Sequence, residues 1–143
     1  MTMQYVDRVP TPEEHRRLAE AVGWTHAFDW DAMPASLAAS VCGVVVERDG
    51  ETVAMGRVVG DGAFYFYVQD VVVLPELQGG GLGAEILRRL VAQVDAVAPP
   101  KAFIGLFAAG ESTAFYERHG FAVHAGMTGM FRVVPARAPS VSA

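Results

Sequence analysis

The residues of this chain best suited to chemistry lie at Gln78-Gly79-Gly80-Gly81-Leu82-Gly83-Ala84. Glycines allow a tight backbone turn and bring amide N–H groups close to a ligand with no Cβ in the way. Immediately after them, Leu82, Ile86, Leu90, Val94 and Val97 recur at helical spacing. The loop therefore opens a helix, whose first N–H groups are unpaired and whose start carries partial positive charge. That combination is an anion site, suited above all to phosphate. A P-loop would close on Gly-Lys-Ser/Thr, and Gly83-Ala84-Glu85 does not. Gly79-x-Gly81-x-x-Ala84 fits a dinucleotide fingerprint literally. However, the stretch around Phe103–Phe107 has no acidic residue to hold a ribose, and too little chain remains for a second mononucleotide half.

The elements that must position this loop can be read on either side of it. Met3–Val6 predicts a first strand, and Thr11-Pro12-Glu13-Glu14 a helix start, with Thr11 as cap and Glu14 completing a capping box. That helix runs to about Val22, with His15 placed on its solvated face. A short helix follows around Met33–Ala39. Cys42–Arg48 and Thr52–Val59 flank the hairpin signal Asp49-Gly50. Gly60-Asp61-Gly62 then turns into the long run Phe64–Leu74. Beyond the glycine loop and its helix come a strand at Ala102–Phe107, a helix at Ser112–His119 and a last strand or hairpin at Phe121–Val134. The helix between Phe64–Leu74 and Ala102–Phe107 permits those two strands to be parallel neighbours. The fold class expected is α/β (α+β): an antiparallel N-terminal meander, a central parallel pair and flanking helices, in one domain over 1–134. A disordered tail is expected over 135–143.

The run Asp70-Val-Val-Val-Leu-Pro75, the spacing Gln78-x-x-Gly81-x-Gly83 and the later Phe115-Tyr-Glu-Arg-His-Gly-Phe121 together resemble the GNAT superfamily of N-acetyltransferases. More narrowly, Leu106-Phe-Ala-Ala and the Phe115–Phe121 block are similar to the serotonin (arylalkylamine) N-acetyltransferase-like subgroup. The resemblance implies a GNAT-like mixed sheet whose central parallel strands splay apart for CoA. The pantetheine arm would pair with Val71, Val72 and Val73, and the pyrophosphate would rest on amides of Gly79, Gly80, Gly81, Leu82, Gly83 and Ala84, with Gln78 at the loop's start. Many members carry an Asn near CoA where this chain has Ala108-Ala-Gly-Glu-Ser112, leaving Ser112 as the candidate there.

Acetyl transfer to a primary amine needs a neutral nitrogen, an N–H donor for the oxyanion and an acid for the departing thiolate. Tyr116 matches the family tyrosine that protonates the thiolate. Asp70, just before Val71–Val73, is the candidate for base or amine-binding group. It shares a strand face with Val72, and the rival roles of such an Asp are to cap a bulge or pair with an Arg. By resemblance, the segment with His26, Asp29, Trp30 and Asp31 covers the acceptor, where aromatics and carboxylates suit a cationic amine. Tyr65 and Tyr67 are candidates to line the same cleft. The alternative reading is a catalytically silent acyl-CoA-binding or regulatory module, or a transferase for a protein N-terminus or lysine.

A formal net charge of −5 with scattered basic residues speaks against nucleic-acid binding. Cys42 is the single cysteine and lies in an apolar run, so it reads as a packing residue. His119 and His124 lack partners at metal-binding spacing, and no metal is expected. No apolar stretch reaches the ~20 residues of a membrane span, and the first residues lack the pattern of a signal peptide. Acetyl-CoA as co-substrate, a small-molecule amine acceptor, a cytoplasmic location and a possible homodimer complete the expectations.

Overall fold

The computed structural model describes residues 2–136, whose backbone groups into two compact units, one through Leu106 and one from Phe107 on. In the first, Met3–Val6 forms β1 and Pro12–Ala21 forms α1. Thr11 caps α1 by accepting the N–H of Glu14, whose carboxylate accepts the N–H of Thr11 in return. A short helix α2, Met33–Ala38, precedes β2, Cys42–Arg48, and β3, Glu51–Gly60. Asp49 and Gly50 join these strands with φ of 53° and 79°, the doubly left-handed turn that suits the twist of a hairpin. At the next turn, Asp61 Oδ1 accepts the N–H groups of Ala63, Phe64 and Tyr65, leading into β4, Tyr65–Val73.

The strands lie in the order β1-β2-β3-β4-β5, where β5 is Phe103–Gly105. The meander from β1 to β4 is antiparallel throughout, and β5 adds in parallel through Tyr65↔Phe103, Phe66↔Ile104 and Tyr67↔Gly105. This is the mixed sheet expected from the sequence. The parallel ladder stops at Tyr67, and β4 continues to Val73 with no partner on that side within its unit. Its remaining backbone groups are thus an open edge.

A helix α3, Leu82–Asp95, packs on β2, β3 and β4, burying Leu82, Ile86, Leu87, Leu90 and Val94. Gly56 lets it lie close: a Cβ there would meet Ile86 at 2.8 Å and Leu90 at 3.0 Å. Helix α1 covers the opposite face, where Leu18 joins Val45, Met55 and Val72. Burying such side chains on both faces of the sheet is what holds the unit together.

In the second unit, the expected helix is a short α4, Thr113–Glu117. The expected strand or hairpin over Phe121–Val134 is not formed among the described residues. The segment has strand-forming side chains but no ladder, and Met127, Met130 and Phe131 are exposed. A strand exists only by pairing, and its propensity is largely that of packing on a partner. The tail expectation falls mostly on residues 137–143, outside the described residues.

Candidate active site

Two features border the open edge of β4. The first is the glycine loop. A 3₁₀ turn, Pro75–Leu77, carries the chain from β4 to Gln78, whose Nε2 donates to the Val73 carbonyl at 3.1 Å. Gly79 and Gly81 have φ of 85° and 88°. A side chain at either would meet open space, so it is the left-handed backbone that requires glycine there. Gly81 caps α3 with no side-chain hydrogen bond, and the first bond of the helix runs from Glu85 N–H to the Gly81 carbonyl. The N–H groups of Gly79 through Ala84 therefore have no acceptor among the described residues. Glu85 does not fill this site with its charge. Hydrogen bonds from Arg88 first, opposed by slight desolvation, and then from Arg89 bring its pKa to about 2.

The second feature is a bulge in β4. Asp70 and Val71 together oppose Gly56, between the pairs Met55↔Val72 and Arg57↔Gln69, and Asp70 takes φ 56°. One extra residue rotates the strand locally, so Gln69 and Asp70 both lie on the sheet face that α1 covers, the face the register also gives Tyr65 and Tyr67. Asp70 thus shares its face with Val72, as strand alternation expects, and the bulge is what adds Gln69.

Asp70 is the centre of a buried network. His15 Nε2 lies 3.0 Å from Asp70 Oδ2, and Arg57 Nε donates to the same oxygen at 2.9 Å. Behind Asp70, Arg57 also donates to the Ser36 carbonyl, Ser40 Oγ and Ser36 Oγ, which anchors the end of α2. Burial alone would raise the Asp70 pKa, but the hydrogen bonds of His15 and Arg57 together with the Arg57 charge outweigh it and hold the carboxyl below the ordinary value. Of the rival roles named for this Asp, the Arg pairing is realised; Asp70 lies in the bulge itself, but its carboxylate bonds Arg57 and His15 rather than capping the bulge backbone.

This corrects the placement of His15 on a solvated face. It is fully buried, with Phe28 edge-on at 5.0 Å and Trp30 at 6.0 Å. The sequence held the signal: His15, Leu18, Ala19 and Val22 form one helical stripe. Arg57 was missed as well. A lone cation inside the apolar run Thr52–Val59 cannot be buried without a partner, which pointed to a carboxylate on a neighbouring strand.

Of the other acceptor candidates, Trp30 stacks under Arg16 and beside His15, which links it to Asp70. Asp29 accepts the Asp31 N–H in a turn, and His26 is exposed. Tyr67 packs on Phe103 at 5.6 Å. Cys42 is half-buried, and desolvation followed by the Asp7 charge lifts its thiol to about 11, so it stays protonated. In the second unit, Tyr116 is flanked by Phe115 and Phe121, and burial raises its pKa. Ser112 Oγ donates to the Ala109 carbonyl at 2.6 Å, which engages its proton within its own turn. Among the described residues, no cluster of His, Cys, Asp or Glu could hold a metal, and no helix is long and apolar enough to cross a membrane.

The family model described as "Acetyltransferase (GNAT) domain" matches residues 39–123. The chain belongs to the GNAT family of acetyltransferases. It is 43% identical over 74 residues to serotonin N-acetyltransferase 2, chloroplastic, of Oryza sativa subsp. japonica, covering 52% of this chain and 36% of that one. The chain thus spans about a third of that curated relative's length. Among solved structures, a GNAT family acetyltransferase from Streptococcus pneumoniae superposes with TM-score 0.78 at 24% identity, covering 93% of this chain and 98% of that one. A protein of unknown function from meticillin-resistant Staphylococcus aureus does so with TM-score 0.84 at 22% identity, covering 94% and 100%. At these identities the structures speak for the fold alone.

Proposed function

We propose that the protein transfers an acetyl group from acetyl-CoA to a primary amine by direct attack in a ternary complex. The observation that carries this is the run of unpaired N–H groups from Gly79 to Ala84 at the start of α3, next to an open strand edge. Such a run matches a pyrophosphate in charge and hydrogen bonding, and the free edge of Val71–Val73 offers backbone partners to an amide-bearing arm. The acceptor arrives as an ammonium and gives one proton to solvent. The neutral nitrogen then forms the C–N bond as the thioester C–S bond breaks, and its second proton restores the Tyr116 phenol once that group has protonated the thiolate. An amide N–H of Val71–Val73 is the donor for the oxyanion. Tyr116 is the acid for the departing thiolate; its raised pKa keeps the phenol protonated at neutral pH.

An arylalkylamine is the proposed acceptor class. The rice relative is named for serotonin, and here Tyr65 and Tyr67 share the β4 face of Asp70. Release of free thiol from acetyl-CoA, measured over a panel of primary amines, tests the reading. Turnover with an arylalkylamine, cut by about a hundredfold in kcat in Tyr116→Phe, is the expected outcome for a lost general acid. CoA binding without turnover of any amine would instead identify a silent acyl-CoA-binding module.

A further inference from the structure

We propose that His15 and Arg57 are positioning residues for the acceptor, together holding Asp70 Oδ2 so that Oδ1 receives the substrate's ammonium group. The inference rests on the reading of the acceptor as a primary amine. Two donors from two different elements meet on one carboxylate oxygen, at 3.0 Å from α1 and 2.9 Å from β3. The other oxygen accepts no hydrogen bond among the described residues. It is also not sealed: among those residues the one buried side-chain polar atom without a partner is His15 Nδ1. Oδ1 is thus the part of Asp70 open to a ligand, on a side chain that is 11% exposed.

Each holder is itself fixed. Arg57 is clamped by Ser36 and Ser40, and the His15 ring by Phe28 and Trp30. The unpartnered Nδ1 fits the same arrangement. With the ring proton on Nε2, donated to Asp70, Nδ1 presents a lone pair rather than an N–H with no acceptor. The carboxylate so held stays ionised and accepts hydrogen bonds, which suits it to bind an ammonium and makes it a poor base. The role therefore narrows from base or amine binder to amine binder.

The test uses His15→Phe, which keeps an aromatic ring and loses the donor, and His15→Gln, whose amide restores an N–H near the Nε2 position. With the best amine of the panel, His15→Phe is expected to raise the amine KM about tenfold, the weight of one hydrogen bond to a charged group. The KM for acetyl-CoA should not move, and His15→Gln should recover most of the loss. In an Asp70→Asn background the His15→Phe change should add nothing further, since both act through one oxygen. A joint rise in both KM values, or effects that add in the double variant, would reduce His15 to a packing residue and overturn the proposal. An unchanged amine KM in an active enzyme overturns it too, leaving the acetyltransferase reading standing. Absence of any amine turnover in the wild type strikes that reading itself. Should His15→Phe not fold, ¹⁵N NMR of the wild-type imidazole decides. Protonation at Nε2, with signals that shift on adding phenethylamine in the wild type but not in Asp70→Asn, supports the proposal; protonation at Nδ1 contradicts it.

Discussion

The glycine loop and the Asp70 bulge lie a few residues apart on the same stretch of chain and are built in opposite ways. The loop from Gly79 to Ala84 works with backbone alone: left-handed glycines at 79 and 81 and the unpaired amides that begin α3. Up to the first bond of α3, its hydrogen bonds among the described residues run within residues 73–85. At the bulge, a single carboxylate is set by α1, the end of α2 and β3 through His15, Ser36, Ser40 and Arg57. A site made of local backbone tolerates change around it and is intolerant only at its special dihedrals. A site made of converging side chains fails as a unit, because removing one member leaves the others buried and unpaired.

The largest expected effect tests that second half. Arg57→Ala strands the Asp70 carboxylate, which is 11% exposed, and should cost about 3–5 kcal/mol of stability, as for a broken buried ion pair. Urea denaturation would measure it, and a loss within about 0.5 kcal/mol, the size of a surface change, would mean the network is not a unit. Next comes Gly81→Val. Its strain at φ 88° should cost about 1–2 kcal/mol, and calorimetry should show weakened acetyl-CoA binding while the Asp70 network is untouched.

The legibility of each region in the sequence follows the same division. The capping box of Thr11 and Glu14, the Asp49-Gly50 turn and the glycine loop all depend on neighbours in the chain, and each is where the residues placed it. His15 and Arg57 owe their roles to Asp70, 55 and 13 positions away. Only a helical stripe and an isolated buried cation hinted at them. The strand expected over Phe121–Val134 shows the limit from the other side: β-branched and aromatic residues are present, but pairing is a property of two segments.

Acid tests the paired carboxylates. Glu14 has a pKa of about 2, set first by the Arg8 hydrogen bond, against burial and with help from Thr11 and Thr52. Asp70 is likewise depressed. A carboxylate with a lowered folded pKa gives its full stability above its unfolded value and loses it as pH falls through the folded one. Unfolding midpoints should therefore decline as pH drops below about 4.5, the ordinary carboxylate range, with Glu14→Gln flattening the slope. A midpoint independent of pH down to about 3 would contradict the ion pairing. The smallest effect belongs to Gly80→Ala. Its Cβ would meet only the Leu77 carbonyl at 3.6 Å and no positive φ is required, so stability should stay within about 0.5 kcal/mol. Any loss seen in acetyl-CoA affinity would then report the methyl group's intrusion on the ligand.

The most direct measurement is isothermal titration of acetyl-CoA into the wild-type protein alongside Gly81→Val. The account predicts saturable one-site binding to the wild type, weakened about tenfold when the loop dihedral is strained. Absence of binding to the wild type, or equal affinity in both proteins, would contradict a cofactor cradle at Gly79–Ala84.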